Sequence, residues 1–343
     1  MGSLTDGAER KFAGHETFHP RYGWFRKAVV AAQASTNGRD SFLAEDATVR
    51  LGVGKNMVTA IRFWGRAAKL VDTPKGQGKT PRTFPTLNGI AIFDEKKGLD
   101  PYLELAGTLW VLHWWMLQPK TELPVWWLTF FRFPAVEFTE DELVAFIMKE
   151  IEDEGWKKPN ESSVRKDVTC LLRMYFSSID ARGALDDRLD CPMRELALIE
   201  QAWGQRTHYR FLLGPKPTLP DLVLLYACLD FMSRQSSTGS TMSVKRLTTD
   251  IGAPGRAFRI GEEQLTVVLE RATKKFGFVE LTSTSGVRKL ACSKDVKLLC
   301  ERALRDFYKS TSQRAASKLQ LGAQAITPHA PELKLKPKRK NEG

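Results

Sequence analysis

Residues 103–133, LELAGTLWVLHWWMLQPKTELPVWWLTFFRF, hold five of the nine tryptophans: Trp110, Trp114, Trp115, Trp126 and Trp127. A helix that crosses a bilayer needs ~20 mostly apolar residues. Here the apolar run from Leu105 to Leu117 is bounded by Glu104 and then by Gln118, Pro119, Lys120, Glu122 and Pro124, so it is too short to span. The stretch predicts a buried helix followed by an aromatic segment, a central core against which other modules pack.

Around that core the composition is that of folded protein: 343 residues, 42% hydrophobic and 27% charged, which excludes a disordered or fibrous chain. The length predicts two or three domains. Nothing in the first thirty residues resembles a signal peptide, with Glu9, Arg10 and Lys11 leading into polar His15, Glu16 and Thr17, so a cytoplasmic protein without a membrane partner is expected. Five cysteines without paired spacing predict buried thiols rather than a disulfide framework or a zinc site. A sulfur-relay role for Cys170 or Cys191 would need an exposed, electropositive thiol, which Arg173 or Arg194 could provide. Lys and Arg exceed Asp and Glu by 12, and nucleic acid is the first partner such a surplus points to.

Outward from the core, one pattern occurs three times: a short amphipathic helix, a tight connection and a second helix with a basic outer face, the layout of a helix-turn-helix. In the first, Ala44–Leu51 leads through Gly52 to a helix with Val53, Met57, Ile61 and Trp64 inward. Lys55, Asn56, Thr59 and Arg62 face out. A basic loop from Lys75 to Lys79 with Arg82 then precedes an expected strand near Ile90–Phe93, as a wing would. The second opens on the capping box Thr139-Glu-Asp-Glu142, buries Leu143, Phe146, Ile147 and Ile151, and continues with Val164, Val168, Leu171, Leu172 and Tyr175 inward. Arg165, Lys166, Thr169 and Arg173 are left outside. The third has Val244, Leu247 and Ile251 on one helix, a connection rich in turn formers (Gly252, Pro254, Gly255), and Leu265, Val268, Leu269, Ala272 and Phe276 on the next. Its wing is a hairpin over Phe278–Leu281 and Val287–Leu290. Arg256, Arg259, Lys274, Lys275, Arg288 and Lys289 surround it.

The expected class is therefore mainly α (α+β): helix-turn-helix and winged-helix modules around a Trp-rich helical core. The expected units are 1–98, 99–215 and 216–308, with a disordered basic tail over 309–343. That tail carries eight Lys and Arg against Glu332 and Glu342, half of the whole positive surplus. The rest of the surplus is the part that bears on a specific DNA face.

Three short motifs compete for a chemical reading. His15-Glu-Thr-Phe-His19 fits the zincin pattern, but Gly14 and Pro20 bracket it too closely for a stable helix, and no third ligand follows. Gly52-Val-Gly-Lys55 resembles the end of a phosphate-binding loop, yet Val49 stands where a glycine is required and Asn56 where Ser or Thr is required. His15, Glu16, Arg21 and Tyr22 bring a base, a carboxylate, a guanidinium and a phenol together. Phosphodiester hydrolysis needs such groups to activate water or hold a metal and to neutralise the transition state. The competing reading makes Arg21, Tyr22 and Trp24 an N-terminal anchor and His15 and Glu16 local caps. His113 reads as a core residue, and His208 and His329 have no clustered partners.

Seven stretches, in order along the chain, resemble the SspB-type proteins of bacterial DNA phosphorothioation systems. They are Phe12-Ala-Gly-His-Glu-Thr-Phe18, Arg21-Tyr-Gly-Trp24, Val49-Arg-Leu-Gly-Val-Gly-Lys-Asn-Met57, Ile61-Arg-Phe-Trp64, Ser163-Val-Arg-Lys-Asp-Val168, Asp190-Cys-Pro192 and Pro254-Gly-Arg-Ala-Phe258. The resemblance implies anti-phage defence through backbone sulfur modification of double-stranded DNA, as a nickase that opens the phosphodiester for sulfur insertion. It also implies three partners: a cysteine desulfurase, an ATPase and an ATP-pyrophosphatase-like sulfurtransferase. His19 is not part of that family's recurring pattern, which leaves His15, Glu16 and Arg21. The resulting expectation is a nicking endonuclease using magnesium or manganese and no nucleotide cofactor. Glu16 is the expected ligand or base, His15 acid/base and metal ligand, and Arg21 the transition-state stabiliser. The alternatives are a non-catalytic winged-helix scaffold that recruits the sulfur-transfer machinery, or a transcription regulator.

Overall fold

The helix that the tryptophans predict forms, and neighbours cover it on every side. The computed structural model describes residues 2–35, 40–74, 82–176, 190–202, 207–235 and 241–311. Its first part comprises α1 (Leu4–Gly7), α2 (Trp24–Gln33), α3 (Ala47–Leu51), α4 (Lys55–Ala67), β1 (Val71–Asp72), β2 (Phe84–Pro85) and α5 (Leu87–Phe93). The middle comprises α6 (Ala106–Leu117), α7 (Pro124–Phe131), β3 (Glu137–Thr139), α8 (Glu140–Asp153), α9 (Glu161–Tyr175), a 3-10 turn (Pro192–Leu196), β4 (Ile199–Gln201) and β5 (His208–Phe211). The last part comprises α10 (Asp221–Gln235), β6 (Thr241–Ser243), α11 (Val244–Thr249), α12 (Pro254–Phe258), α13 (Glu262–Lys275), β7 (Val279–Thr284), β8 (Val287–Cys292) and α14 (Val296–Thr311). Helices dominate, and three antiparallel sheets, β1-β2, β3-β5-β4 and β6-β8-β7, place the fold in the α+β class. No helix among the described residues is long and apolar enough to cross a membrane.

Asp100 starts the central helix: its carboxylate accepts the amides of Glu104 (2.8 Å) and Leu105 (3.2 Å) just ahead of α6. Every residue from Gly107 to Leu117 is buried. Gly107 is required by contact, because a Cβ there would lie 2.2 Å from the Phe307 ring of α14. This almost wholly apolar helix leaves its indoles, His113 and the Thr108 hydroxyl as side-chain polar groups, and each finds a partner on another element, Thr108 on Tyr308 (3.1 Å). Trp110 donates to Thr218 (3.1 Å), Trp114 to Asp230 (2.9 Å) and Trp115 to Tyr226 (2.8 Å). α7, with Pro124 in its first turn, is buried over its whole length.

The second helical pair matches its pattern. The Thr139–Glu142 capping box forms, and Leu143, Ile147 and Ile151 of α8 and Val164, Val168, Leu171, Leu172 and Tyr175 of α9 are buried, with Phe146 partly so. The first pair is α3 and α4, joined through Gly52, with Ile61 and Trp64 buried and Val53 and Met57 half-buried. Its expected strand near Ile90–Phe93 is instead α5. Thr86 caps that helix by accepting the Gly89 amide (3.0 Å), a start signal that outweighs the β-branched run. Arg82 turns inward, donating to the Ser35 carbonyl with its guanidinium 4.7 Å from the Phe84 ring. In the third pair the turn-forming connection contains a helix of its own, α12, with Pro254 in its first turn, and β6 joins the expected hairpin as a third strand. The loop Lys75–Lys79 and the tail beyond residue 311 lie outside the described residues.

His113 links three elements from inside α6. Its Nε2 lies 2.9 Å from the Ala257 carbonyl, which only an N–H can satisfy, so Nδ1 is the acceptor for the Tyr175 hydroxyl at 2.8 Å. Burial pushes its pKa from 6.5 down to about 4, so the folded state holds the neutral ring. Stability is therefore retained above pH 6.5 and lost as the pH falls toward 4, up to ~3 kcal/mol for this group alone. Urea unfolding of wild type and His113→Gln at pH 7.5, 6, 5 and 4.5 should show the smaller acid-side loss in the variant; parallel losses would remove His113 as the cause.

Candidate functional site

Residues 12–22 form a tight loop rather than a helix, and its backbone is strained. Ala13 (φ 53°), Glu16 (φ 51°) and Thr17 (φ 67°) all occupy the left-handed region, which costs a β-branched residue on the order of 1–2 kcal/mol. Gly14 is needed for close approach, since a Cβ would sit 2.7 Å from the Phe63 ring. The loop is held from beneath. On α9 the buried Asp167 carboxylate accepts the Ala13 amide (2.9 Å) and lies 2.6 Å from His15 Nε2, while the Trp64 indole donates to the Phe18 carbonyl (2.8 Å). His15 is 1% exposed, stacked on Trp64 and edge-on to Phe63 and Trp126. Burial raises the Asp167 pKa, opposed by its bonds to His15 and the Ala13 amide. Glu16 and Thr17 are exposed. Strain that a network of buried contacts maintains is characteristic of functional loops.

The same loop then crosses to the turn at Pro192. Arg21 Nε lies 2.9 Å from Asp190 Oδ2, His19 Nε2 lies 3.8 Å from the same oxygen, and the Tyr22 amide donates to the Asp190 carbonyl (3.1 Å). The Tyr22 hydroxyl donates to Glu195, and burial followed by that bond raises its pKa, so the phenol stays protonated. The Arg21 side chain is 39% exposed, so it is partly open to solvent. Four stretches widely separated in sequence, those holding His15 and Arg21, Trp64, Asp167 and Asp190, thus converge on one place.

Of the four predicted catalytic residues, Glu16, Arg21 and Tyr22 reach the surface and His15 does not. The predicted metal pair does not fit: His15 Nε2 is committed to Asp167, and no group of three or more His, Cys, Asp or Glu among the described residues is arranged to hold a metal. The carboxylates Asp167, Asp190 and Glu195 were not singled out in the sequence. Two of them stand inside the quoted motifs, but nothing local shows that a carboxylate on α9 lies under a loop more than 150 residues away. Their signal was the collinearity of the motifs.

The predicted DNA-contacting residues divide by environment. Lys55, Asn56 and Thr59 are exposed at the start of α4, Lys166 and Arg173 on α9, and Lys274, Lys275 and Arg288 on α13 and β8. Arg288 lies 3.7 Å from Glu270. Arg165 bridges Asp141 (2.5 Å) and Glu161 (3.1 Å) at the surface. Three others are turned to structural use. Arg62 pairs with buried Asp40 (3.0 Å) and donates to Thr83 (2.9 Å). Arg256 donates to the carbonyls of Thr249 and Phe131 (both 2.6 Å). Arg259 donates to the Thr129 carbonyl (2.7 Å), with its guanidinium 3.7 Å from the Phe211 ring and its pKa lowered to about 9 by burial. These two arginines tie α12 to the end of α7, because the carbonyls at a helix C-terminus have no partners within the helix. All five cysteines are buried free thiols, and burial raises Cys170 well above its ordinary pKa and Cys191 to about 12, opposite to what a sulfur-relay nucleophile requires.

Residues 12–308 match the family described as "Protein of unknown function (DUF4007)". Two crystal structures are similar throughout. One is of SspB (38% identity over 89% of this chain and 90% of that chain, TM-score 0.83) and one of magnesium ion-bound SspB (38% identity, 90% and 91%, TM-score 0.83). The chain belongs to the DUF4007 family and is SspB-like. No protein of curated function matches it in sequence.

Because Asp167 serves two donors, its replacement should disturb the loop more than the loss of one bond. Asp167→Ala leaves His15 Nε2 and the Ala13 amide buried without an acceptor, a cost of about 2–4 kcal/mol. Asp167→Asn keeps one acceptor and should lose about half as much. Denaturant unfolding measures both; equal, near-zero losses would show that Asp167 does not hold the loop.

Proposed function

We propose that this chain is the DNA-nicking protein of a phosphorothioation defence system, cutting at the loop over residues 13–22. The observation that carries the reading is the strained loop, locked by Asp167 and Trp64, that leaves Glu16 exposed and Arg21 partly open to solvent. Similarity to SspB across nine-tenths of the chain supports the system to which it is assigned. In the proposed reaction Glu16 takes a proton from an attacking water, the water oxygen forms a bond to phosphorus, and Arg21 neutralises charge on the phosphoryl oxygens as the bond to the leaving sugar oxygen breaks. Solvent returns a proton to that oxygen. His15, sealed below the loop, positions it through Asp167 rather than exchanging protons with substrate. Tyr22 holds the adjoining turn through Glu195. A requirement for magnesium or manganese is part of the proposal, supported by the magnesium ion-bound SspB structure. The three sulfur-transfer partners act on the nick so made.

Residues 216–308 are proposed as the winged-helix DNA contact. The support is the order β6, α11, α12, α13, β7, β8 with its three-stranded sheet, and the exposed Lys274, Lys275 and Arg288. The N-terminal part of α13 exposes Glu262 and Glu263, so attraction to phosphate concentrates at the helix C-terminus and the wing. The scaffold alternative rests on this same module.

Purified protein incubated with supercoiled plasmid and magnesium or manganese should yield open-circle DNA, and EDTA should stop it. Glu16→Gln and Arg21→Ala should each lower the rate at least ~100-fold without shifting the melting temperature by more than a few degrees. Nicking at wild-type rates by both variants would place the site elsewhere, and no nicking with any metal would favour the scaffold. Replacing Lys274, Lys275 and Arg288 with Ala should reduce the salt slope of DNA binding by about 0.9 per lost phosphate contact. An unchanged slope would remove this module as the contact.

A further inference from the structure

The three helix pairs differ in what their second helices present outward. On α9, two of the four outward groups are already engaged: Arg165 lies between Asp141 and Glu161, and the Thr169 hydroxyl donates to Glu140 (2.7 Å). On α13 the exposed face opens with Glu262 and Glu263 and carries Glu270 ahead of Lys274 and Lys275. Carboxylates so placed repel the phosphates that line a DNA groove. α4, by contrast, has no acidic residue along its whole length. Near its start Lys55, Asn56 and Thr59 are exposed, and none of these side chains makes a hydrogen bond or ion pair among the described residues. Asn56 and Thr59 stand three apart, so they share one face of the helix.

The frame around α4 is rigid. Gly52 (φ 62°) ends α3 in the left-handed conformation, and the Lys27 ammonium donates to the Leu51 carbonyl (2.8 Å), which ties the turn before α4 to α2. α2 packs so closely on α4 that a Cβ at Gly65 would lie 2.6 Å from the Ala28 methyl. Directly after α4, β1 and β2 pair, Asp72 with Phe84. Val49, three residues before the turn, is 81% exposed, more than any other large apolar side chain among the described residues. The acidic residues of α3 stand at its far end, where Asp46 lies 3.3 Å from Arg50.

We propose that α4 is the sequence-reading helix of this chain, entering the major groove of double-stranded DNA with Asn56 and Thr59 on base edges and Lys55 on a neighbouring phosphate. The order α2, α3, α4, β1, β2 puts α4 where a winged helix has its groove-entering helix. The Asn56 amide donates and accepts at once, as the N6 and N7 edge of adenine requires, and Thr59 offers a hydroxyl and a methyl. Lys274, Lys275 and Arg288 of the C-terminal module attract phosphate, which positions DNA without reading it. α4 also carries the strained loop: Phe63 lies under Gly14, and the Trp64 indole donates to the Phe18 carbonyl (2.8 Å). Asn56 and Trp64 are ~12 Å apart along the axis at 1.5 Å per residue, so bases read at one end of the helix fix where on the strand the loop at the other end sits. The proposal rests on the reading of the chain as a DNA-binding protein, but not on cleavage at Glu16 and Arg21.

Selection from a random duplex library, with the full chain in EDTA so that bound DNA stays uncut, tests it. Wild type should enrich a short motif. Asn56→Ala and Thr59→Ala, each with an unchanged melting temperature, should lower the preference for that motif over a one-base mismatch at least ~5-fold while non-specific affinity is retained, and Asn56→Arg should move one position of the motif toward guanine. The triple replacement of Lys274, Lys275 and Arg288 by Ala should weaken binding to all sequences alike and leave the motif unchanged. An unchanged motif in both alanine variants overturns the proposal, and so does a wild type that binds duplexes without enriching any sequence. Both results leave the nicking reading standing, whereas a chain that binds no duplex at all removes the two together.

Discussion

A helix buried on every side sets the terms for everything around it. Over Gly107–Leu117 the chain has no solvent-facing stripe, so the indoles of Trp110, Trp114 and Trp115 and the ring of His113 must find polar partners inside the protein. Burying an indole contributes on the order of 4 kcal/mol at ~25 cal/mol per Å², more than an unpaired N–H costs, so the tryptophans go inside in any case. The pairing decides which elements sit where. Thr218, Tyr226, Asp230, Tyr175 and Ala257 come from four different segments, and each can meet its partner in only one arrangement. α10, α12 and the end of α9 are thereby placed around one helix.

That arrangement in turn positions the loop over residues 12–22. α9 is held against the core by Val164, Val168, Leu171 and Tyr175, and the face turned toward the N-terminus carries Asp167. The carboxylate lies where two donors of the loop converge, and the aromatic surroundings of His15 exclude water from the pair. In that environment the bonds are stronger than they would be at the surface, and left-handed backbone at three non-glycine residues is maintained. The loop that exposes Glu16 and carries Arg21 therefore rests on a buried anchor.

The charge surplus has a comparable division of labour. Arg62, Arg256 and Arg259, each plausible as a phosphate contact from spacing alone, are committed to an internal carboxylate or to the carbonyls at the ends of helices. A guanidinium suits that use because its planar fork satisfies several acceptors and stacks on rings. Lysines on the same modules, with a compact and strongly hydrated ammonium, are mostly left at the surface. A basic helix face thus contains both structural arginines and exposed lysines, and pattern alone does not separate them.

What the sequence determined by itself was what local physics enforces. The apolar run of α6 was too short to span a bilayer, the capping box of α8 was written in Thr139 and Glu142, and the stripes of α8, α9 and α13 followed from helical period. It also carried, in collinear motifs, the family to which the chain belongs. Local pattern misread Ile90–Phe93, where the cap at Thr86 outweighs strand propensity, and could not show that Asp167 and Asp190 meet His15 and Arg21. Those pairings join residues more than 150 positions apart, and nothing within a window of ten or twenty residues encodes them. Only the packing of α9 and the Pro192 turn around the Trp-rich helix decided them, because a buried carboxylate is stable only where the complete fold brings donors to it.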